Sequence, residues 1–308
     1  MKRILMPTIV IVAGAASLCA EARSAVPAVG EDGGHLLRLG LRPGDEWRER
    51  IVHEVEVLDG SGGVARLERR ERVETVRVLS LVEDLAAAGD PPDLRWARLR
   101  RTPEPVPDPG GEAPTQTGPY EVLVSSLGEI ALPPPEGDRP ADDAARAALM
   151  AGLVSRLAPV LPGPRLEVGE EASRTIRCRF AFGAPGGADC AETETARLVS
   201  IGEREGAGAP RGRVAVLEIG RRAMPQTVPL ADAALAAPRT GALTATASPE
   251  ELVLQVLGAS GDGELRFDAT RGVLLSYRIK ETVGVAAKLG ESAVRRTVNV
   301  SFEIERLE

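Results

Sequence analysis

The segment Thr297-Val-Asn-Val-Ser-Phe-Glu-Ile-Glu305 alternates apolar and polar residues without a break. Val298, Val300, Phe302 and Ile304 point to one side of an extended chain, and the polar residues between them point to the other. An alternation of period two is typical of a β-strand with one buried and one solvated face. The segment therefore predicts a half-buried strand.

The same alternation recurs in other parts of the chain. Between charged residues, one side of each run is apolar: Trp47, Ile51, Val55 and Val57 in the first, and Val214, Val216, Tyr277, Ile279 and Val283 in later ones. Strands with a single apolar face are typical of antiparallel sheets that are covered on one side. We predict a mainly β (α+β) fold of long antiparallel strands, arranged as one strongly curved sheet or as two β lobes.

One segment has helical periodicity instead. Residues 141–158 are rich in alanine, Pro140 and Pro159 bound them, and large apolar residues recur every fourth position: Leu149, Leu153 and Leu157. This spacing predicts one amphipathic helix near 141–158. A helix with one apolar stripe must pack on another layer, and the sheet is the available partner.

The N-terminus has the three parts of a secretory signal peptide. Lys2 and Arg3 precede a short apolar run over 4–18, and Ala20-Glu21-Ala22 supplies an A-x-A cleavage site. We expect cleavage after Ala22 and an exported, periplasmic or extracellular protein. The run is shorter than the roughly 20 residues of a membrane span, so we expect no transmembrane span in the mature chain, with an uncleaved anchor as the alternative.

The three cysteines divide between two roles. Lipid attachment at Cys19 is an alternative to soluble export, disfavoured because the bulky Leu18 precedes it. Cys178 and Cys190 flank a turn-forming stretch, 183–189, and an even pair in an exported chain predicts a disulfide between them. Two free buried thiols, or a redox or metal role, are the alternatives.

These signals divide the chain into a signal peptide at 1–22, a flexible segment at 23–35 and a β-rich domain at 36–308. Residues 225–246, rich in alanine and proline, are expected to form a long mobile connection. Both Leu41-Arg-Pro-Gly-Asp-Glu46 and Leu166-Glu-Val-Gly-Glu-Glu171 follow the pattern L-x-x-G-[DE]-E. This repeat suggests two similar lobes, 36–135 and 165–308, joined by the helix, although a chance match over six positions is the alternative.

A second motif lies near the C-terminus, where Phe267-Asp268-Ala-Thr-Arg-Gly272-Val-Leu274 follows the pattern F-D-x-x-x-G-x-L. Together with L-x-x-G-[DE]-E, it resembles a domain of unknown function found in exported bacterial proteins. The resemblance implies long strands and no activity, and it transfers no functional residue. From the residues themselves, Phe267 is expected to anchor the core, Asp268 to bind turn amides and Gly272 to supply a positive φ.

The sequence contains no catalytic, cofactor or metal motif that we recognise. His35 and His53 are the two histidines, and their separation does not make a zinc site. We expect His35 in a mobile entry segment and His53 on the apolar side of its strand. Without residues 1–22, 36 basic and 44 acidic residues remain, a net charge of −8 that opposes nucleic-acid binding.

Three functions follow from these features. The first is a non-enzymatic carrier or binder of an apolar small molecule or lipid in the cell envelope, in an architecture resembling that of lipoprotein carriers. The second is a structural or protein-interaction module of the envelope, which would use charged strands such as 66–77 and exposed edges. The third is a hydrolase with two neighbouring carboxylates, which requires a cleft that holds both.

Overall fold

A computed structural model describes the fold over residues 34–82, 94–104, 119–131, 160–181, 187–203, 212–229, 252–289 and 292–307. Strands dominate these ranges and no helix occurs in them, which confirms the prediction of a mainly β protein. The helix expected near 141–158, the signal peptide and Cys19 lie outside the described residues.

The described part of the chain contains twelve strands. In chain order they are β1 Glu46–Leu58, β2 Val64–Val82, β3 Trp96–Pro103, β4 Tyr120–Ser125, β5 Ile130–Ala131, β6 Glu171–Ala181, β7 Gly187–Glu203, β8 Arg213–Ala223, β9 Gln226–Pro229, β10 Leu252–Asp268, β11 Val273–Leu289 and β12 Ser292–Leu307.

All of these strands belong to one antiparallel sheet. The strand order is β5-β4-β3-β2-β1-β12-β11-β10-β8-β7-β6, and β9 adds to β10. Because β1 pairs with β12 from Arg48↔Leu307 to Leu58↔Thr297, the two halves of the chain are joined side by side. Of the two predicted arrangements, the structure has the single continuous sheet.

The apolar alternation defines the buried, inner face of this sheet. Cross-strand neighbours such as Ile51 and Ile304 both lie inside, as do the partners Ile279 and Phe302. His53 lies in the same inner row and is 5% exposed, as its alternation predicts. Most of the inner residues are aliphatic, because aromatic residues are only 3% of the sequence.

The sheet is strongly curved, because residues at opposite ends of its strand order meet. The side chains of Arg174 on β6 and Glu129 beside β5 lie 3.8 Å apart, although these strands are the two edges. The segment 34–41 adds a backbone connection, since Leu39 N donates to Ser126 O at 2.8 Å, beyond β4. His35 exchanges backbone hydrogen bonds with Leu166, which precedes β6.

The ordered structure therefore reaches into the segment that was predicted to be flexible. His35 is part of the ordered structure and not of a mobile entry segment, because its N–H and C=O are both bonded to Leu166 at 2.8 and 3.0 Å. Gly34 is buried against Arg165. Residues 23–33 lie outside the described ranges.

The turn between β10 and β11 contains the F-D-x-x-x-G-x-L motif. Phe267 is 1% exposed in the core, and Asp268 Oδ1 accepts hydrogen bonds from the backbone N–H groups of Thr270 and Arg271, both at 3.0 Å. Gly272 has φ +68°, and its carbonyl accepts a hydrogen bond from Gly40 N at 2.9 Å. A Cβ on Gly272 would lie 2.6 Å from Gly40 N, so this glycine is also needed for docking of the segment 34–41.

The two L-x-x-G-[DE]-E motifs form turns with the same hydrogen bonds. Their glycines, Gly44 and Gly169, have φ of +89° and +96°. In each turn the acidic residue after the glycine accepts, through its side chain, the backbone N–H three residues earlier, at 3.0 Å for Asp45 and 2.8 Å for Glu170. The motif is thus explained by turn chemistry. Duplication of the two halves stays a prediction.

Two further sequence predictions concern the stretch 225–246 and membrane-spanning segments. Part of the stretch 225–246 is not a connection, because Gln226–Pro229 pairs with β10 as β9. Within the described ranges, no helix is long and apolar enough to cross a membrane.

Candidate functional site

Two groups of polar side chains interrupt the apolar inner face. The first polar cluster comprises Glu49, Glu74, Arg101 and Tyr120, on β1 to β4, and the second comprises Glu192, Glu194, Arg221, Tyr277 and Glu281, on β7, β8 and β11. Buried charges are unfavourable unless they are paired and hydrogen-bonded, so each cluster needs a physical account.

Arg101 is the centre of the first cluster. It is 0% exposed, its Nη2 donates to Glu49 Oε2 at 2.8 Å, and its Nε donates to Glu74 Oε2 at 2.7 Å. The two carboxylates come together because Glu49 and Glu74 are direct cross-strand partners. Trp47 Nε1 donates to the remaining oxygen of Glu49 at 2.7 Å.

The remaining oxygen of Glu74 is also occupied. Arg72 Nε lies 2.9 Å from Glu74 Oε1, and the Tyr120 hydroxyl lies 3.2 Å from Oε1 and 3.0 Å from Oε2. Burial raises the pKa of Glu49, against the opposing effect of Arg101, and it raises the pKa of Tyr120 to about 12. With every carboxylate oxygen bonded and two guanidinium groups facing two carboxylates, the first polar cluster is a balanced structural unit.

The second cluster has a similar ion pair at its centre. Arg221 Nε donates to Glu194 Oε2 at 2.7 Å, the same distance as between Arg101 and Glu74. Arg174 from β6, whose side chain is 27% exposed, donates to the other oxygen of Glu194 at 2.7 Å. Glu194 therefore joins two guanidinium groups, whereas in the first cluster Arg101 joins two carboxylates.

Glycine residues on β10 bring β11 into this cluster. In the register, Arg221 pairs with Gly261, and Gly261 pairs with Glu281. A Cβ on Gly261 would lie 3.3 Å from both Cβ and Cγ of Glu281, so the absence of a side chain leaves room above β10 for the glutamate. Gly258-Ala-Ser-Gly-Asp-Gly263 is part of strand β10 and not a phosphate-binding loop.

Tyr277 is the unusual member of the second cluster. It is 0% exposed, and its hydroxyl has no hydrogen-bond partner. Burial raises the pKa of this hydroxyl, with Arg221 acting in the opposite direction and Glu194 and Glu281 in the same one, so the proton stays on the oxygen. The aromatic ring packs 6.2 Å from that of Phe302, centroid to centroid.

His53 lies on the other side of Phe302, at a ring-centroid distance of 6.5 Å. Burial, with a further effect of Arg70, lowers the pKa of His53 to about 4, so its ring is neutral at neutral pH. His35 lies elsewhere, bonded to Leu166 ahead of β6, and the structure does not bring the two histidines together. Among the residues that the structure describes, no group of three or more potential ligands could hold a metal ion.

The predicted cysteine pair lies on the two strands that carry Arg174 and Glu194. Cys178 on β6 and Cys190 on β7 are direct partners in the backbone register. The disulfide stays a prediction, as does cleavage after Ala22, which lies outside the described ranges.

Neither polar cluster was predicted from the sequence. A usable signal exists, because the inner-face series Ala97, Leu99 continues with Arg101, and Leu217, Ile219 continues with Arg221. An arginine at a position where the alternation requires an apolar residue indicates a buried ion pair. Its partner could not be identified in the same way, since both arginines bind glutamates 27 residues earlier in the chain.

The outer face carries ion pairs between exposed side chains. Arg50 pairs with Glu71 at 2.7 Å on one neighbouring strand and with Glu305 at 3.6 Å on the other, while Arg278 pairs with Glu303 at 2.8 Å. Such exposed pairs each contribute well under about 1 kcal/mol. The charged run 66–77 belongs to this surface in part, although Glu74 faces inward.

Comparisons with known proteins add little to this geometry. No family model and no curated protein matches the chain. Among solved structures, the β domain of the Bordetella autotransporter Brka aligns with 84% of this chain and 98% of its own, at 11% identity and a TM-score of 0.17. At that score the likeness carries no argument about function.

Proposed function

We propose that this protein is a non-enzymatic binder or carrier of an apolar small molecule or lipid in the cell envelope. The observation that supports this most is the inner face of the sheet, which is apolar across strands from β4 to β7 and curves until its edges meet. A curved sheet with an apolar inner face is a common setting for small-molecule sites.

The composition of the inner face supports the same proposal. The described residues form a single sheet, so no second sheet within them covers this face. Its side chains are mainly small and aliphatic, including Ala97, Ala196 and Ala215, each at most 5% exposed. Short aliphatic side chains on a concave surface favour an apolar occupant without demanding one shape. The signal-peptide pattern at 1–22 supports an envelope location.

The structure contains two neighbouring carboxylates, as the hydrolase hypothesis requires, but they are not accessible to a substrate. Glu49 and Glu74 are 1% and 0% exposed, and all four of their oxygens accept hydrogen bonds, from Trp47, Arg101 and Tyr120. A general acid or base must instead reach the reacting group directly or through a water. The pair therefore favours a structural role.

Fluorescence of Trp47 tests the proposal, since this side chain is buried on the inner face at 5% exposure. In a Trp96→Phe background, Trp47 is the remaining tryptophan. Titration with 11-bromoundecanol should quench it saturably, because a bromine atom must come close to the indole. Mass spectrometry of solvent extracts from the purified protein should identify the natural ligand.

Two matched variants decide whether the probe binds inside. Ala196→Leu narrows the inner face, while Thr193→Leu places a leucine on the outer face of the same strand. We expect the inner variant to weaken binding by about fivefold or more, through overpacking of about 1–3 kcal/mol, and the outer variant to leave it unchanged. Absence of saturable quenching in folded protein, or equal effects of the two variants, would contradict the proposal.

The second candidate, a protein-interaction module, is favoured by the tip of the β1–β2 hairpin. Val64 and Leu67 are 59% and 61% exposed there, which is unusual for large apolar residues. A photo-crosslinker at position 67 should then capture a defined envelope protein, and Val64→Ser should abolish the capture. Crosslinking to no protein in envelope extracts would remove this candidate.

A further inference from the structure

The two polar clusters differ in how completely their tyrosines are bonded. Tyr120 donates its hydroxyl proton to Glu74, whereas the Tyr277 hydroxyl, which is under the electrostatic influence of Arg221 and Glu194, has no hydrogen-bond partner. A buried hydroxyl without a partner is unfavourable by roughly 1–3 kcal/mol. The rest of the sheet pairs its buried charges. An unbonded buried hydroxyl in such a sheet indicates a position where a polar group of another molecule binds.

The charges around Tyr277 indicate which polar group fits. Three carboxylates, those of Glu192, Glu194 and Glu281, face two guanidinium groups, Arg221 and the partly exposed Arg174, among the described side chains. In the first polar cluster, counted with the neighbouring Arg72, the numbers are equal: two carboxylates and two guanidinium groups. An excess of carboxylates in a low-dielectric interior favours a hydrogen-bond donor and disfavours another anion.

The side chains around Tyr277 are largely apolar, which indicates that the polar group is carried by a largely apolar molecule. Tyr277 has the Phe302 ring at its side, and its cross-strand neighbours Leu265 and Ile304 are each 1% exposed. Gly261 lacks a side chain, and Glu281 packs closely over it. A polar group that reaches Tyr277 from the interior must therefore be attached to an apolar body.

We propose that the second polar cluster is the head-group subsite of the ligand, and that it selects amphiphiles whose head is an amine or a hydroxyl over those whose head is a carboxylate. The head group donates its N–H or O–H to the carboxylates. The Tyr277 hydroxyl then gains the head group as its hydrogen-bond partner. The apolar chain lies along the inner face. This inference rests on the proposed function and adds the chemical class of the ligand.

The test measures affinities for three probes that share one chain and differ in the head: dodecylamine, dodecanol and dodecanoate. Each displaces N-phenyl-1-naphthylamine from the full mature protein at neutral pH, below the aggregation threshold of the probe. We expect the amine and the alcohol to bind about tenfold or more tightly than the carboxylate, since one charge-assisted hydrogen bond is of that size.

The variants Tyr277→Phe and Tyr120→Phe form a matched pair. Tyr277→Phe should reduce affinity for the amine and the alcohol by about tenfold while leaving dodecanoate unchanged, because only the donor heads use the hydroxyl. Without ligand, Tyr277→Phe should melt no lower than the wild type, since it removes an unbonded hydroxyl. Tyr120→Phe should melt lower and keep the probe preference, because its hydroxyl is bonded to Glu74.

The outcomes separate the inference from the proposed function. Equal binding of all three probes, or a preference for dodecanoate, would overturn the subsite while leaving an apolar binder in place. A Tyr277→Phe variant with unchanged amine and alcohol affinity would do the same. If no probe displaces the fluorophore from folded protein, the proposed function fails and the subsite fails with it.

Discussion

A single guanidinium group, that of Arg101, keeps two buried carboxylates together on the inner face. Replacing it by methionine keeps most of the volume but leaves Glu49 and Glu74 facing each other without this counter-charge. We expect Arg101→Met to lower the free energy of unfolding by about 3–5 kcal/mol, because an uncompensated buried charge remains. Urea unfolding measures the change.

The neighbouring Arg100 supplies the control for this substitution. Its side chain is 52% exposed and pairs with Glu121 on the outer face. Arg100→Met should therefore change stability by less than about 1 kcal/mol. A similar loss in both variants would mean that the first polar cluster does not depend on Arg101.

His53 makes stability depend on pH. Its pKa falls from 6.5 to about 4 on folding because the ring is buried, so the folded state binds fewer protons between these values than the unfolded state does. The contribution is complete above pH 6.5 and is lost as the pH falls through about 4. Over this range, the stability of the wild type relative to His53→Leu should decline by about 3 kcal/mol.

The measurement for His53 is a series of urea unfolding curves across that pH range. His35→Gln is the comparison, since His35 is less deeply buried and its pKa is lowered through a weaker burial effect and Arg213. This variant should keep most of the wild-type pH profile. A His53→Leu profile parallel to that of the wild type would show that the pKa of His53 does not fall on folding.

At the scale of elements, sequence reasoning succeeded where one face of a strand is mainly apolar. β12 was predicted because its alternation is uninterrupted, and β1 because apolar residues recur along one face despite Glu49 and His53. It failed at β9, whose four residues lie in a proline- and alanine-rich stretch and gain their order from pairing with β10. Pairing between distant segments leaves no local trace in the sequence.

The charged run of β2 has an explanation at this scale. β3 pairs with β2 only over Glu74–Val82, and Glu104 N donates to Val73 O at 2.8 Å, so residues 64–72 form an edge among the described strands. The charges there hinder pairing with another molecule. Replacing Arg69 and Glu71 by threonine should promote association at unchanged net charge, which size-exclusion chromatography with light scattering detects.

The control for the β2 edge replaces a charge pair in the middle of the sheet. Arg278 and Glu303 also form an outer-face pair, but their strands β11 and β12 are both paired on two sides. The double threonine variant at these positions should stay in the same oligomeric state as the wild type. Association of both variants would point to loss of surface charge in general and not to an exposed edge.

For the whole molecule, the sequence left the choice between one sheet and two lobes open. The recurring L-x-x-G-[DE]-E turns favour two similar halves, and the structure gives both turns the same hydrogen bonds. The pairing of β1 with β12, which merges the halves, depends on residues more than two hundred positions apart. Their alternation specifies that each strand buries one face but does not specify which strands are neighbours.

The segment 34–41 ties distant parts of this sheet together, and Leu37 is its deepest side chain at 1% exposure. Leu39 N and Gly40 N bind the carbonyls of Ser126 and Gly272, which lie at separate turns. Leu37→Ala should lower the free energy of unfolding by about 2–5 kcal/mol through a cavity in the core. Hydrogen exchange should accelerate at both turns, because the segment is anchored to each.

The adjacent Leu36→Ala variant shows whether this response is specific. Leu36 is only half-buried and lies outside the core cluster, so its truncation removes less apolar contact. We expect a smaller loss of stability and little change in exchange at either turn. If Leu37→Ala accelerated exchange at one turn alone, the segment would be a local cover, and the curvature of the sheet would depend on its own strands and on the ion pair between Arg174 and Glu129.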